Sequence, residues 1–150
     1  MASLTGDRPV SCGVVVTDGR VLLLGHATRT PRWDIPKGVA DPGEAFLAAA
    51  CRELQEETGL VADPAALVPI GTYPYSREKG LCLFGWVPAE MPDPRALVCV
   101  SHFETRAGES LPEFDGFGLF PRDEAVRLVG RGMAEILAQI PLDTLLGASK

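Results

Sequence analysis

The chain has 150 residues, 46% hydrophobic and 23% charged, which is typical of one ordinary globular domain and not of a disordered, collagen-like or coiled-coil protein. A domain of this size, spanning residues 1–150, buries enough apolar surface to fold without stabilisation by disulfide bonds or metal ions. The formal net charge of −6 disfavours a long nucleic acid or an anionic membrane surface as a partner, so a polyanionic substrate would need a local basic patch or a metal ion.

Two strands and a long loop are predicted over residues 12–43. Asp18-Gly19 separates two aliphatic runs, and this pattern predicts a β-hairpin with strands at 12–17 and 21–25. Residues 27–43 are rich in Pro, Gly, Thr and Arg and predict a long irregular loop, with a short strand at 33–35. Loops of this length in a compact domain are commonly functional.

The strongest helix signal covers residues 44–58. Asp41 is a candidate N-cap with Glu44 three residues later, and Gly59 ends the helical pattern. One face of this helix is expected to pack on the core, and it carries Leu47, Cys51, Leu54 and Thr58. Another face is acidic, and the small side chains of Ala49 and Ala50 beside it are expected to leave room for a ligand.

The second half of the chain predicts strands followed by helices. In chain order, strands are expected at 66–73, 81–87, 97–103 and 117–120. After Pro121, apolar residues recur at helical spacing up to Ile140. This order predicts an α/β protein with a mixed β-sheet between helices on both faces.

The cysteines and the apolar runs bear on the compartment. No Cys-x-x-Cys pair occurs, so free thiols in a reducing compartment are expected for Cys12, Cys51, Cys82 and Cys99. The first residues lack the apolar run of a signal peptide, and no stretch of about 18 apolar residues occurs. We therefore expect a cytoplasmic protein that is not bound to a membrane.

Three carboxylates, those of Glu53, Glu56 and Glu57, share the acidic face of the predicted helix. Glu53 and Glu57 are like charges four residues apart, which destabilises a helix by roughly a few tenths of a kcal/mol. Glu56 and Glu57 also lie in the last turn, where the helix dipole disfavours anions. A merely solvated face is the alternative, but helix stability alone would favour lysines there. The cluster therefore predicts a site for a hard divalent cation.

The spacing around this helix resembles a family motif. From Gly38 the chain has five residues, Glu44, seven residues and then Arg-Glu-Leu-Gln-Glu-Glu-Thr-Gly-Leu, which ends at Leu60. This resembles the Nudix box, G-x5-E-x7-R-E-U-x-E-E-x-G-U with U aliphatic, and it matches at every specified position over 38–60. The resemblance implies the α/β/α sandwich of that family and a hydrolase of phosphoric anhydride bonds. Its substrate would be a nucleoside diphosphate linked to a further group.

The resemblance also implies a metal site within this box. Mg²⁺ or Mn²⁺ would be bound by Glu53, Glu56 and Glu57, with the carbonyl of Gly38 as a further ligand. Arg52 is expected to orient Glu53. Such an ion neutralises phosphate oxygens and lowers the pKa of water, which is the chemistry that a crowded polyphosphate requires.

Catalytic roles follow from the same resemblance. The resemblance implies catalytic roles for Glu53, Glu56, Arg52 and Glu44, and the general base would be Glu56 or Glu53. Glu113 or Asp115, in a later loop, is a possible substitute or a plain surface residue. Glu44 also fits a structural role as the acid of a capping box.

Cations and aromatic rings near the box indicate a substrate-binding surface. Arg29, Arg32 and Lys37 either contact phosphates of the substrate or serve only as solubilising charges. Lys79 could reach the more distant phosphates. Tyr73 and Tyr75 could stack on a base.

The choice of substrate stays open. The segment Trp-Asp-Ile-Pro-Lys-Gly, with Pro-Gly-Glu after it, is similar to that of dinucleoside polyphosphate hydrolases, which implies diadenosine tetraphosphate cleaved to ATP and AMP. RNA 5′-pyrophosphohydrolases share much of it, and ADP-ribose, nucleoside triphosphates or oxidised nucleotides are further alternatives. Pro74 and Tyr75 lie where the family differs by substrate, and they do not separate these cases.

A non-catalytic nucleotide-sensing module is the alternative of another class. A monomer or a homodimer is expected.

Overall fold

A computed structural model of the chain describes residues 8–149, with side chains up to residue 146. The strands are β1 (Val10–Val16), β2 (Val21–Ala27), β3 (Trp33–Asp34), β4 (Lys37–Val39), β5 (Val68–Pro74), β6 (Gly80–Trp86), β7 (His102–Glu104), β8 (Ser110–Pro112) and β9 (Phe114–Pro121). The helices are α1 (Phe46–Thr58), α2 (Arg122–Leu128), α3 (Arg131–Gln139) and α4 (Leu142–Ser149). None of the helices described is long and apolar enough to cross a membrane.

The strands form a mixed sheet and an antiparallel sheet. The mixed sheet has the order β4-β1-β6-β5, in which β1 and β6 are parallel and the other pairs are antiparallel. The antiparallel sheet has the order β3-β2-β9, and β7 and β8 form a separate hairpin. Because the long loop of the sequence contributes β3 to one sheet and β4 to the other, it lies where the two sheets meet.

Helices pack on both faces of these strands. Side chains alternate along a strand, so Val15 and Leu24 join one buried cluster with the C-terminal helices, whereas Val14 and Leu23 join a second cluster with α1. The predicted α/β architecture, with strands between helices, is therefore confirmed. This layering holds α1 firmly against β1, which fixes the position of its acidic face.

The predicted hairpin at Asp18-Gly19 is wrong in its pairing. The turn is present, since Asp18 accepts hydrogen bonds from the amides of Arg20 and Val21. Beyond one isolated bridge between Thr17 and Leu22, however, the two strands enter different sheets. The reason is that β1 pairs with β4 and β6, while β2 pairs with β3 and β9.

The start of α1 also differs from the sequence-based prediction. The helix begins at Phe46, after Ala45, and no side chain caps its N-terminus. Asp41 is therefore not the N-cap, and it forms a separate turn in which its carbonyl accepts from the amide of Glu44 at 2.9 Å. The Glu44 carboxylate accepts from the Asp41 amide at 2.9 Å, so this acid stabilises the turn before the helix.

The strand predicted at 97–103 is wrong over most of its length, and only His102–Glu104 is a strand. The amides of Val98, Val100 and Ser101 instead donate to the carbonyls of Thr58 and Glu56 at the end of α1, at 2.7 to 3.1 Å. These donors satisfy helix carbonyls that have no partner within the helix. Sequence patterns do not reveal this use of an extended segment.

Candidate active site

Two of the three carboxylates on the acidic face of α1 are turned inward, and the third is partly exposed. Glu53 is 9% and Glu57 is 7% exposed, and both lie at the junction of the helix with the sheet. The Glu56 side chain is 40% exposed. Ala49 and Ala50 are fully buried, so the expectation that they leave room for a ligand is wrong. Their small side chains allow α1 to approach the sheet closely.

Gly38, at the centre of β4, lies directly against the Glu53 side chain. A Cβ built on Gly38 would overlap the carboxyl group of Glu53. The backbone of Gly38 is not in the left-handed region, so the requirement for glycine comes from this close approach. The contact brings the Gly38 main chain and the Glu53 carboxylate together.

Gly38→Ala is therefore expected to displace Glu53. We predict a loss of stability of about 1–3 kcal/mol, as for other overpacked sites, and a fall in kcat/KM of at least ~10²-fold. Gly80→Ala is the matched control, because a Cβ at Gly80 meets its nearest atom, on Val10, at an ordinary 3.7 Å. Thermal melts and kinetics would check both variants, and equal effects at the two glycines would contradict the close-approach argument.

Arg52 is the centre of an ion-pair network on α1. Its Nε and Nη2 donate to the two oxygens of Glu44, each at 2.9 Å. Its Nη1 donates to Glu53 at 3.0 Å and to Glu56 at 3.3 Å. These bonds hold the pKa of Glu44 down to about 2, with the Arg52 hydrogen bonds as the main cause and the Asp41 amide as the second. The guanidinium thus fixes the orientation of Glu53 and Glu56.

Glu57 is the most strongly perturbed carboxyl group of the site. It accepts a hydrogen bond from the Lys37 amide at 3.0 Å. Burial nevertheless raises its pKa to about 8, and the negative charges of Glu53 and Glu113 act in the same direction. Burial also raises the pKa of Glu53, against the opposing effect of Arg52. Glu53 and Glu57 thus both resist ionisation. A bound cation would favour their ionised forms, so this is a favourable place for one.

A cleft of about 140 Å³ opens in front of Glu57. It is lined by Ala27, Asp34, Ile35, Lys37, Glu57, Glu113 and Phe114. Glu113 therefore joins the site, whereas the Asp115 carboxylate is bound to Nδ1 of His26 at 2.6 Å. The Glu113 amide donates to the carbonyl of Ser101 at 2.9 Å, so the segment that caps α1 also anchors Glu113.

The predicted substrate-binding residues are only partly brought together. Lys37 reaches the cleft, where its Nζ lies 3.1 Å from Asp34 and 5.3 Å from the centre of the Tyr75 ring. Arg29 is instead paired with Glu109 at 3.0 Å. Arg32, Tyr73 and Lys79 take part in neither of these ion pairs. Arg32 and Lys79 are exposed, and Tyr73 is partly buried.

Sequence reasoning missed two side-chain pairs in and near the site. Asp34 fixes Lys37 through an ion pair, and the spacing of three residues between them was a usable signal. The pair of His26 and Asp115 joins residues 89 positions apart in the chain. No local pattern could have revealed that pair.

The donor set is suited to a hard cation, since carboxylate oxygens are the ligands preferred by Mg²⁺. Within residues 8–149, no three His, Cys, Asp or Glu side chains already form a metal-binding cluster. The Arg52 guanidinium bridges Glu53 and Glu56, and the Lys37 amide holds one oxygen of Glu57. The buried, charge-repelled pair of Glu53 and Glu57 nevertheless fits a divalent ion chemically.

Comparisons with known proteins agree with this architecture. The chain is 34% identical over 137 residues to an uncharacterized 17.7 kDa protein of Enterobacteria phage T4, covering 89% of this chain and 87% of that protein. It is 35% identical over 72 residues to a putative 8-oxo-dGTP diphosphatase of Bacillus subtilis, covering 48% of each. It is also 62% identical over 50 residues to an RNA pyrophosphohydrolase of Bartonella quintana, covering 32% of this chain and 29% of that protein.

Solved structures share the fold. A C. elegans Ap4A hydrolase aligns with a TM-score of 0.59 at 21% identity, over 92% of this chain and 98% of that one. The family model of the NUDIX domain matches residues 7–140, which includes the box, the cleft and both sheets. The chain therefore belongs to the Nudix family and is a Nudix hydrolase.

Proposed function

We propose that this chain hydrolyses a pyrophosphate bond of a nucleotide with the help of Mg²⁺ or Mn²⁺ bound by Glu53, Glu56, Glu57 and the Gly38 carbonyl. The observation that carries the proposal is the buried pair of Glu53 and Glu57, in which Arg52 favours the ionised form of Glu53 and Lys37 that of Glu57, while burial opposes both. When bound, a divalent ion neutralises phosphate oxygens and lowers the pKa of water.

The residues around the cleft have separate tasks in this proposal. Arg52 keeps Glu53 and Glu56 in place, and Glu44 keeps Arg52 in place through its paired hydrogen bonds. Lys37, oriented by Asp34, is the cation that faces a phosphate in the cleft.

A carboxylate accepts the proton of the attacking water, a contribution of about 10²–10⁴-fold to the rate. Glu56 or Glu53 is our first choice for this base. Glu113 is the alternative, since it lines the cleft. Asp115 is less suited because its carboxylate is bound to His26.

For the substrate we propose a dinucleoside polyphosphate such as diadenosine tetraphosphate, cleaved to ATP and AMP. Support comes from the segment 33–38 and from Tyr75, whose ring lies beside the Lys37 ammonium group. Arg32 and Lys79 are exposed cations for the more distant phosphates. Arg29 supports this proposal less than the sequence suggested, because Glu109 already pairs with it.

RNA 5′-pyrophosphohydrolysis is the second candidate, and the high local identity to the Bartonella quintana protein favours it. A panel of diadenosine tetraphosphate, 5′-triphosphorylated RNA, ADP-ribose and 8-oxo-dGTP separates the candidates by kcat/KM. We expect the dinucleotide to rank first. A preference of more than tenfold for another member would replace it as the substrate, while the chemistry proposed for the carboxylates would remain.

Replacing Lys37 should lower kcat/KM more than replacing Arg32. We expect Lys37→Ala to lower kcat/KM by about 10-fold or more, because it removes the Lys37 ammonium group from the cleft and leaves Asp34 with the Ile35 amide but without its ion-pair partner. Arg32→Ala should have a smaller effect that fades at high salt, since exposed charges are screened. Steady-state kinetics at two ionic strengths would check this order, and equal, salt-independent effects would contradict it.

We also propose a cytoplasmic location, on the basis of the free thiols of Cys12, Cys51, Cys82 and Cys99. A monomer or a homodimer is the proposed assembly, with a small nucleotide as the binding partner.

A further inference from the structure

Glu113 lies between β8 and β9, and its main chain is held on one side by Thr28, which follows β2. The Thr28 amide donates to the Glu113 carbonyl at 3.2 Å. The Thr28 hydroxyl donates to the carbonyl of Pro112, the residue before Glu113. One threonine therefore binds the carbonyl groups of both peptide bonds that flank the Glu113 Cα.

The amides of the same two peptide bonds are bound by the segment before β7. The Glu113 amide donates to the Ser101 carbonyl at 2.9 Å, and the Phe114 amide donates to Sγ of Cys99 at 3.5 Å. The Cys99 thiol in turn donates to the Ser101 carbonyl at 3.3 Å. All four polar main-chain atoms around the Glu113 Cα thus have protein partners, although Glu113 is exposed and water could serve such atoms.

This arrangement connects Glu113 to the end of α1. The amides of Val100 and Ser101 both donate to the Glu56 carbonyl, at 2.7 and 3.1 Å. Because the Ser101 carbonyl accepts from the Glu113 amide, one residue joins the main chain of Glu56 to the main chain of Glu113. Two consecutive hydrogen bonds therefore set the position of Glu113 relative to the acids of α1.

The Glu113 carboxylate, unlike its main chain, is unbound. It lines the cleft in front of Glu57, and within residues 8–146 no hydrogen bond or ion pair holds it. Besides burial, which is the main cause, its negative charge raises the pKa of Glu53 and of Glu57, so the carboxylate lies near both. A fixed main chain that presents a free carboxylate to a cleft is the arrangement expected of a group that acts on a ligand.

We propose that Thr28 and Cys99 are positioning residues of this enzyme, which hold the main chain at Glu113 from two sides so that its carboxylate stays in the cleft and acts in the reaction. This inference rests on the proposed function, in which Glu113 is a candidate base. It adds the side chains on which the placement of Glu113 depends.

Amide hydrogen exchange of the full chain, measured by NMR, tests the positioning without a substrate. Thr28→Val keeps the shape of the side chain but removes the hydroxyl, and Cys99→Ala removes the acceptor of the Phe114 amide. We expect each variant to raise the exchange rates of the Glu113 and Phe114 amides by about 10-fold, because the segment opens locally more often when one of its hydrogen bonds is lost.

Two variants serve as matched controls. Thr30→Val removes a comparable bond of the same loop, in which the Thr30 hydroxyl donates to the Ala27 carbonyl at 3.0 Å. Cys51→Ala removes another partly buried free thiol, on α1. Neither side chain forms a hydrogen bond with residues 112–114, so both variants should keep the exchange rates and the kcat of the wild type.

Steady-state kinetics tests whether the reaction uses this arrangement. We expect Glu113→Gln to lower kcat by about 10-fold or more, because it removes the carboxylate. Thr28→Val and Cys99→Ala should each lower kcat by about 3- to 10-fold with little change in KM, because the carboxylate is displaced while the substrate contacts remain. Thr28→Ser and Cys99→Ser keep a hydroxyl and should recover most of kcat. In a Glu113→Gln background, neither Thr28→Val nor Cys99→Ala should lower kcat further.

The outcomes separate this inference from the proposed function. Unchanged exchange in Thr28→Val and Cys99→Ala, or losses of kcat that persist in the Glu113→Gln background, overturn the inference. Turnover of Glu113→Gln at the wild-type level overturns it as well, while the chemistry proposed for the acids of α1 would remain. If the wild type hydrolyses no nucleotide of the panel, the proposed function fails, whereas faster exchange in the two variants would still support the positioning of Glu113 by Thr28 and Cys99.

Discussion

Glu56→Gln is expected to lower kcat by at least ~10²-fold while the fold persists. The substitution removes one negative charge from the proposed cation site, and it does so at the most exposed of the three acids of α1. The side chain is not part of the packed core, so the melting temperature should change little. Kinetics at saturating Mg²⁺ and a thermal melt check the two parts of this prediction.

Glu135→Gln is the matched control for this variant. Glu56 is the partner of Arg52 four residues earlier in a helix, and Glu135 has the same relation to Arg131 in α3. Both substitutions thus remove one charge and one helical ion pair, of which exposed examples contribute about 0.3–0.5 kcal/mol. Turnover of Glu56→Gln at the level of Glu135→Gln would remove Glu56 from the proposed site.

Glu57→Gln should make the metal-free protein more stable at pH 8 than the wild type. The pKa of Glu57 is raised from 4.5 to about 8 by burial, with the charges of Glu53 and Glu113 adding to it and the Lys37 amide opposing it. A raised pKa means that the folded protein binds the proton more tightly than the unfolded chain does. The stability from this group is thus complete below pH 4.5 and is lost as the pH rises toward 8.

The advantage of Glu57→Gln should therefore be absent near pH 4.5 and reach a few kcal/mol by pH 8. Glutamine keeps an oxygen for the Lys37 amide, so this bond is not the cause of any difference. Chemical denaturation in EDTA across pH 4.5–8 measures the effect, with the exposed Glu124→Gln as the control. Mg²⁺ should stabilise the wild type at pH 8 more than the variant. A pH-independent difference would contradict the burial of an ionisable Glu57.

The sequence predicted the helix that carries the three acids better than it predicted their surroundings. Local spacing placed Glu53, Glu56 and Glu57 on one face of a helix, because helical periodicity depends on near neighbours only. It did not predict that Glu53 and Glu57 are buried, since their surroundings come from β4 and from Glu113, far along the chain. Ala50 illustrates the same limit, because its small side chain serves the packing of α1 and not a ligand.

The errors in the fold have a common physical cause. Residues 97–103 have the composition of a strand, but their amides serve the carbonyls at the end of α1. The runs around Asp18-Gly19 are strands, yet their partners are strands distant in sequence. In both cases tertiary hydrogen bonds, and not local preference, decide the pairing.

The most direct test of the proposed chemistry is hydrolysis of diadenosine tetraphosphate in ¹⁸O-labelled water, with products identified by mass spectrometry with and without EDTA. We predict that Mg²⁺ supports cleavage to ATP and AMP with the label on one of the two products, and that EDTA abolishes it. Turnover that persists in EDTA, or the absence of hydrolysis of every nucleotide in the panel, would contradict cation-assisted attack at the Glu53–Glu57 site.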